Sequence, residues 1–455
     1  MYNLYEKIME FVNWEVIEFI MEAIETARKV ILGTLQYLSP SSLVKNEISL
    51  VDQKTLLFQD KRFPFNKLYC LAIGKGASRM AQGARKCLGD SIDWGGILTK
   101  YGYREDVEDF EYFEAGHPLP DENGIEATKE ILKKCKKLGE KDLLLFLVSG
   151  GGSALFTLPE NNIDLQEMIK VNELLLRSGA SIDEINCVRK HIDRVKGGKF
   201  AEECKATIVS LMLSDVVKNA PSVIASGPVV PDPSTFSDAL RILKAYDLSE
   251  NVPGKVLSFL RDGTQDKVKE TPKKLRDKVF YKVFDSAWAC EMAKKVGKDM
   301  GIRSYILSTS IEGEAREVGR FLTAVGKDTL EGKTAFKPPC IIISGGETTV
   351  TLNANTQNGI GGPNQEVVVS FSIYARGTER IALASIDTDG TDGPTDIAGG
   401  AADGKTFEKM KRHFEDPTYA FNEHNAYKLL TKSGCAIKTG PTGTNVNDLR
   451  VLVVL

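Results

Sequence analysis

The feature that most constrains this chain is a run of apolar residues, Leu143 to Val148 (LLLFLV), that passes directly into Ser149-Gly150-Gly151-Gly152-Ser153. A strand apolar on both faces needs cover on both faces, and helices packed over a parallel sheet supply it. The pattern recurs. Leu68 to Ile73 (LYCLAI) leads into Gly74-Lys75-Gly76-Ala77 and a helical stretch to about Leu88, and Thr207 to Leu213 ends at Ser214-Asp215. Asp121 to Leu138 has helical spacing, with Asp121 as N-cap. This strand, loop, helix rhythm predicts a parallel sheet.

The chain of 455 residues is long enough for two or three domains. Residues 245 to 278, rich in Pro, Gly and charge, read as an interdomain segment. The alternation then restarts with strands at Val279–Phe284, Arg303–Ser308, Cys340–Ile343 and Arg380–Ile386. Helices are expected at Ala287–Met300, Glu314–Val325 and Gln365–Ala375. The predicted fold class is α/β with two domains, residues 1–250 and 275–455. Each is expected to be a mainly parallel sheet flanked by helices, the N-terminal one Rossmann-like.

Composition narrows the function. Lys plus Arg total 59 against 62 for Asp plus Glu, a net charge of -3, so there is no basic field for nucleic acid or an anionic membrane. Hydrophobic residues at 42% and charged residues at 27% exclude a disordered chain. The eight cysteines form no CxxC and read as reduced thiols of a cytoplasmic protein. The four histidines have no zinc-ligand spacing, and no apolar run reaches membrane-span length. Glu6, Glu10, Glu15, Glu18 and Glu22 mark the N-terminus as an amphipathic helix and argue against a signal peptide.

Three familiar patterns fail. Gly74-Lys75-Gly76 follows a strand, but Arg79 stands where a dinucleotide fingerprint needs its third glycine. Gly399 to Thr406 (GGAADGKT) matches a P-loop formally, yet no predicted strand leads directly into it. Asp387-Thr388-Asp389-Gly390-Thr391-Asp392-Gly393 starts like a calcium loop but has Ala398 where the closing glutamate belongs.

Glycine clusters at strand ends remain. In Ser149, Gly150, Gly151, Gly152 and Ser153, backbone N–H groups can surround a phosphate; the alternative is a tight turn. Ser344-Gly345-Gly346-Glu347 has the same form, with Gly345 and Gly346 as phosphate binders and Glu347 as a Mg²⁺ ligand or a plain N-cap. Lys75, between glycines at a strand end, is a candidate for holding a transferring phosphoryl group. The cation-rich run Asn186–Lys199 offers Lys190 and Lys196, whose sequence neighbours include no acid, to a substrate carboxylate or phosphate. Asp215 is the best-placed general base, or a helix cap.

Together these segments resemble the class II glycerate 2-kinases, which join an N-terminal glycerate-kinase domain to a C-terminal MOFRL domain. The resemblance runs from about Ala23 to Leu455. It is carried by Ile73-Gly74-Lys75-Gly76-Ala77-Ser78, Gly116-His117-Pro118-Leu119-Pro120-Asp121, Ser149 to Ala154, Asn186 to His191, Lys196-Gly197-Gly198 and Leu213 to Val216. Ser226-Gly227-Pro228, Ser344 to Glu347, Asn364-Gln365-Glu366, Asp387 to Gly393 and Thr442 to Asp448 complete the order. It implies transfer of the ATP γ-phosphoryl group to the 2-hydroxyl of D-glycerate with Mg²⁺, in a cleft between the domains, with Lys75 functionally important. It further implies nucleotide contact by Asn364, substrate contact by Asp389 and Asn447, and a metal ligand at Asp387. Pro363 stands where the family has arginine, and Lys405 is a candidate replacement. A homodimer is left open. The rival readings are an NAD-dependent hydroxypyruvate reductase and a silent nucleotide-binding regulator.

Overall fold

Local sequence chemistry sets the first sheet. In the computed structural model, which describes residues 22–214, 221–352 and 359–455, a small antiparallel sheet comes first: β1 (Ile48–Asp52), β2 (Thr55–Phe58) and β3 (Lys61–Pro64). Six parallel strands follow: β4 (Leu68–Ile73), β5 (Trp94–Lys100), β6 (Phe110–Ala115), β7 (Leu143–Val148), β8 (Thr207–Leu213) and β9 (Val279–Phe284). Their order is β6-β5-β4-β7-β8-β9. The chain enters at β4, works outward to β6, then returns to β7 and works outward the other way. This is the doubly wound order, and ligands of such sheets sit at the carboxyl ends where the direction reverses, here between β4 and β7. Every residue of β7 is buried, as its apolar run requires. Phe146 of this strand packs tilted against Phe200, which meets Phe156 edge-on, both pairs with ring centroids 5.2 Å apart. Burying each such side chain contributes roughly 1.5–3 kcal/mol.

The domain boundaries differ from those the sequence suggests. The chain forms two compact units, one of residues 39–284 and a second that joins the segment ending at Leu38 to residues 285–455. The segment 245–278 is not a linker. Its helix Gly254–Thr264 buries Val256 and Leu260 in the same cluster as Phe236, and β9 closes the edge of the first sheet. The polar composition there belongs to the solvent face. In turn, helix α1 (Ala23–Leu38) packs Ala27, Val30 and Ile31 onto the second unit's strands. The expected helix through Glu6, Glu10, Glu15 and Glu18 lies outside the described residues.

The second sheet is built from β10 (Arg303–Glu314), β11 (Cys340–Thr349), β12 (Ile381–Asp387), β13 (Gly399–Asp403), β14 (Ala436–Ile437) and β15 (Asp448–Val454). Its order is β10-β11-β15-β12-β13-β14. It is not mainly parallel. Only β10 and β11 pair in parallel; β15 runs antiparallel to both β11 and β12, and β13 and β14 continue antiparallel. β10, β11 and β12 do point one way, as their strand-helix spacing implies. The last strand of the chain then inserts between two of them, an event that local periodicity cannot register. Helices α2 (Ala315–Leu330) and α3 (Pro363–Tyr374) cover the face opposite α1. α3 is buried nearly all round from Asn364 to Ser372.

Candidate active site

In the first unit the switch point is occupied by two glycine loops held to each other. Lys75 N–H donates to the Gly150 carbonyl at 2.8 Å, and Gly76 N–H donates to Ser149 Oγ at 3.0 Å. Ser149 Oγ in turn donates to the Ile73 carbonyl at 3.1 Å. Gly74 sits at φ +110°, and a Cβ there would lie 2.3 Å from Ser149 Oγ, so only glycine lets the loops approach. Ser149 is therefore a buried staple between β4 and β7. Among the described residues, the N–H groups of Gly150, Gly151, Gly152 and Ser153 donate to no protein acceptor. They line a cavity of about 120 Å³ together with Asn186 and Ser214. Such a row of unclaimed donors at a helical turn has the geometry in which backbone N–H groups can surround an anion.

Lys75 is exposed. A Cβ on Gly151 would stand 3.3 Å from Lys75 Cγ and 3.1 Å from His117 Cδ2, so both side chains lean over the turn. Among the described residues no carboxylate pairs with Lys75. Asp215, the expected base, lies outside the described residues.

Lys190 and Lys196 are placed differently from expectation. Both are buried and both have acidic partners: Lys190 Nζ lies 3.3 Å from Asp232 Oδ1, and Lys196 Nζ lies 2.6 Å from Asp193 Oδ2. Asp232 is remote in sequence and Asp193 lies three residues before Lys196 in a non-helical turn, so immediate neighbours alone misled. Lys196 still borders a cavity of about 310 Å³ that also includes His117, Gly151, Ser153, Arg189 and Asp193. Burial pushes the Lys196 ammonium down, opposed by Asp193 and reinforced by the nearby charges of Arg189 and Lys199.

In the second unit the expected Ser344–Glu347 turn does not form. β11 continues through it, with Gly345 opposite Leu449 and Gly346 opposite Asp448 and Ile311. These glycines serve packing. A Cβ on Gly345 would lie 2.1 Å from Ser286 Oγ, and one on Gly346 2.2 Å from the Ile311 carbonyl. Asn364 is wholly buried and its amide is fully used: Nδ2 donates to Asp448 Oδ1 at 2.6 Å and to Asp392 Oδ1 at 3.2 Å, while Oδ1 accepts from Ser385 at 2.5 Å. Among the described residues it acts as a clamp, with both ends of its amide taken up by protein partners. Pro363 occupies N1 of α3, where its missing N–H costs nothing. Lys405 pairs with Glu379 at the surface. The GGAAD residues of the formal P-loop match are β13 itself.

Adjacent strand ends do bring several expected residues together. Glu347 Oε2 accepts from Asn447 Nδ2 at 3.2 Å, Asn447 precedes β15, and Asp387 faces Asp448 across the β12–β15 ladder. Asp389 N–H donates to Asp387 at 3.0 Å. Burial, then the neighbouring charge of Asp389, pushes the Asp387 carboxyl up to about 8. Burial likewise raises Asp392 to about 6 against hydrogen bonds from Gln365 and Asn364. No group of three or more ligating side chains is assembled among the described residues. Asp387 and exposed Glu347 nevertheless suit Mg²⁺, a hard cation that takes one or two carboxylates and completes its shell with phosphate oxygens and water. The crowding that raises Asp387 is what a divalent cation relieves.

Sequence reasoning did not single out His117, Asn186 or Arg189, which all border these cavities. Asn186 Nδ2 is buried without an acceptor. Arg189 is half-buried, its Nε donates to Asn172 Oδ1 at 2.8 Å, and no carboxylate pairs with it among the described residues. The signal for Asn186 and Arg189 was helical spacing, since the two positions fall near one face of helix Ile182–His191.

Comparison with known proteins adds a second line. A family model described as a domain of unknown function (DUF4147) matches residues 26–261, and the MOFRL family model matches residues 340–448. A glycerate 2-kinase of Pyrococcus horikoshii is 40% identical over 436 residues, covering 95% of this chain and 98% of its own. A D-glycerate 2-kinase of Thermotoga maritima is 43% identical over 428 residues, covering 91% of this chain and 99% of its own. The crystal structure of a glycerate kinase from Thermotoga maritima is similar at a TM-score of 0.83 and 40% identity, covering 95% of this chain and 99% of that one.

Proposed function

The chain belongs to the glycerate 2-kinase family, and we propose that it transfers the γ-phosphoryl group of ATP to the 2-hydroxyl of D-glycerate, giving 2-phosphoglycerate and ADP. The observation that carries this reading is the row of unclaimed N–H groups at residues 150–153, with the Lys75 side chain leaning over it. Catalysis of phosphoryl transfer is mostly positioning and charge stabilisation, and this turn can do both. The four N–H groups donate to oxygens of the transferring phosphoryl. Lys75 follows the charge that spreads over those oxygens in the transition state. Asp215, two residues beyond β8, accepts the proton of the 2-hydroxyl as the oxygen attacks phosphorus. Asp387 and Glu347 would hold Mg²⁺, which when bound neutralises phosphate charge. Free, mostly buried thiols suit a reducing compartment, and we place the enzyme in the cytoplasm. Among the described residues no helix is long and apolar enough to cross a membrane.

The test is incubation with ATP, Mg²⁺ and D-glycerate, followed by phosphorus NMR of the product. The expected result is glycerate-dependent ADP release and a 2-phosphate. ATP binding without that release would make the chain a silent nucleotide binder. Oxidation of NADH by hydroxypyruvate would make it a reductase.

A further inference from the structure

Among the described residues, Arg189 is a charge without a counter-ion. It projects from helix Ile182–His191, which a capping box of Ser181 and Glu184 fixes at its start. Ile182 and Asn186 border the 120 Å³ cavity of the glycine turn, and Arg189 borders the 310 Å³ cavity. Gly151 and Ser153 belong to both cavities, so the turn is a wall common to the two. The larger cavity is bordered by Arg189, Lys196 and a single carboxylate, Asp193. That carboxylate is spent: Oδ2 accepts from Lys196 and from Thr157, and Oδ1 accepts from Val195 N–H at 2.8 Å. The cavity therefore keeps one positive charge in excess. Holding a partly desolvated guanidinium on one neutral amide is unfavourable, and burial accordingly lowers the Arg189 pKa.

We infer that Arg189 anchors the carboxylate of the acceptor in this larger cavity, while the phosphoryl group occupies the smaller one across Gly151 and Ser153. The guanidinium has its Nη groups available for a bidentate carboxylate contact, a match that lysine cannot reproduce. Asn172 is the positioning residue, since its Oδ1 is the acceptor that orients Nε. A carboxylate fixed there sets its neighbouring 2-hydroxyl beside the turn, which accounts for an acceptor that is an acid and not a neutral polyol. The inference rests on the kinase reading and deepens it.

The test compares wild type with Arg189→Met, Arg189→Lys and Asn172→Ala, using D-glycerate and glycerol as acceptors. The expected KM for D-glycerate rises about 100-fold in Arg189→Met, the scale for truncating one partner of a desolvated charge pair. It rises on the order of 10-fold in Arg189→Lys and less in Asn172→Ala. The KM for ATP stays within about 2-fold, and the preference for D-glycerate over glycerol collapses by the factor by which kcat/KM for glycerate falls. The thermal midpoint is recorded with and without D-glycerate, in the absence of ATP. The expected stabilisation by D-glycerate disappears in Arg189→Met. An unchanged glycerate KM in a folded variant overturns the assignment, as does a rise confined to the KM for ATP. Should Arg189→Met fail to fold, Arg189→Lys and Asn172→Ala carry the same comparison. Wild type that releases no ADP sinks the kinase reading; D-glycerate stabilisation surviving in Arg189→Met then sinks this one separately.

Discussion

Both units put a glycine pair or triplet at the end of an apolar strand, and the two clusters do opposite work. β7 stops together with β4, where Ile73 pairs with Val148, and β8 runs only one residue further, to Leu213. The glycines beyond it are free to turn, and their N–H groups stay unclaimed. β11 has neighbours that run on: Ile311 and Glu312 of β10 and Asp448 of β15 keep pairing with Gly346 and Glu347. The same residue type there is absorbed into the ladder and serves close packing. Charge divides the same way. The first unit's cavity edges carry Arg189 and Lys196, with Lys75 beside the turn, whereas the second unit's strand ends carry Glu347, Asp387 and Asp389. A glycine cluster keeps its N–H groups open to an anion only where the flanking strands also end.

The largest expected effect comes from the first unit. Lys75→Ala should lower kcat by about 10³-fold, the scale for losing one donor to transition-state charge. Its thermal midpoint should hold because the side chain is exposed; near-normal turnover would remove Lys75 from the chemistry. In the second unit, Ile31→Ala should cost roughly 2–5 kcal/mol by leaving a cavity. Hydrogen exchange should report the loss at β12 and β15, with β4 and β7 unchanged. Asn364→Ala should cost about 1–3 kcal/mol through stranded partners on Asp448 and Ser385. The KM for ATP should not move, and a large rise would return Asn364 to a nucleotide role. Mg²⁺ at ten times its dissociation constant should stabilise wild type by about 1.4 kcal/mol. Calorimetry of Asp387→Asn should show that gain abolished. The smallest change is expected for Pro363→Arg, under about 1 kcal/mol in urea, because N1 tolerates either residue.

What was legible follows from where local chemistry alone decides. β7 reads from six apolar residues because burial on both faces leaves no other choice, and Asp121 reads as a cap because Oδ1 does accept from Gly124 N–H at 2.9 Å. β15 does not read, because Arg450 interrupts its apolar run. That arginine is fully buried, held by Asp448 and Thr348, and only the tertiary structure supplies both partners. β13, two glycines, two alanines and Asp403, carries no β-branched signal. Lys190 and Lys196 looked available because their partners are visible only in three dimensions, although Asp193 at i−3 was there to weigh. Arg189 stood immediately before Lys190 in the same run, and nothing short of the helix face distinguishes it.

The central claim is that the 150–153 turn grips the transferring phosphoryl group. It is tested most directly by the backbone amide resonances of glycine-labelled protein as ADP, aluminium fluoride, Mg²⁺ and D-glycerate are added to mimic the transition state. The expected result is large shifts at Gly150, Gly151 and Gly152 with Gly345 and Gly346 near their starting positions. Shifts concentrated at Gly345 and Gly346, with the triplet unmoved, would contradict it.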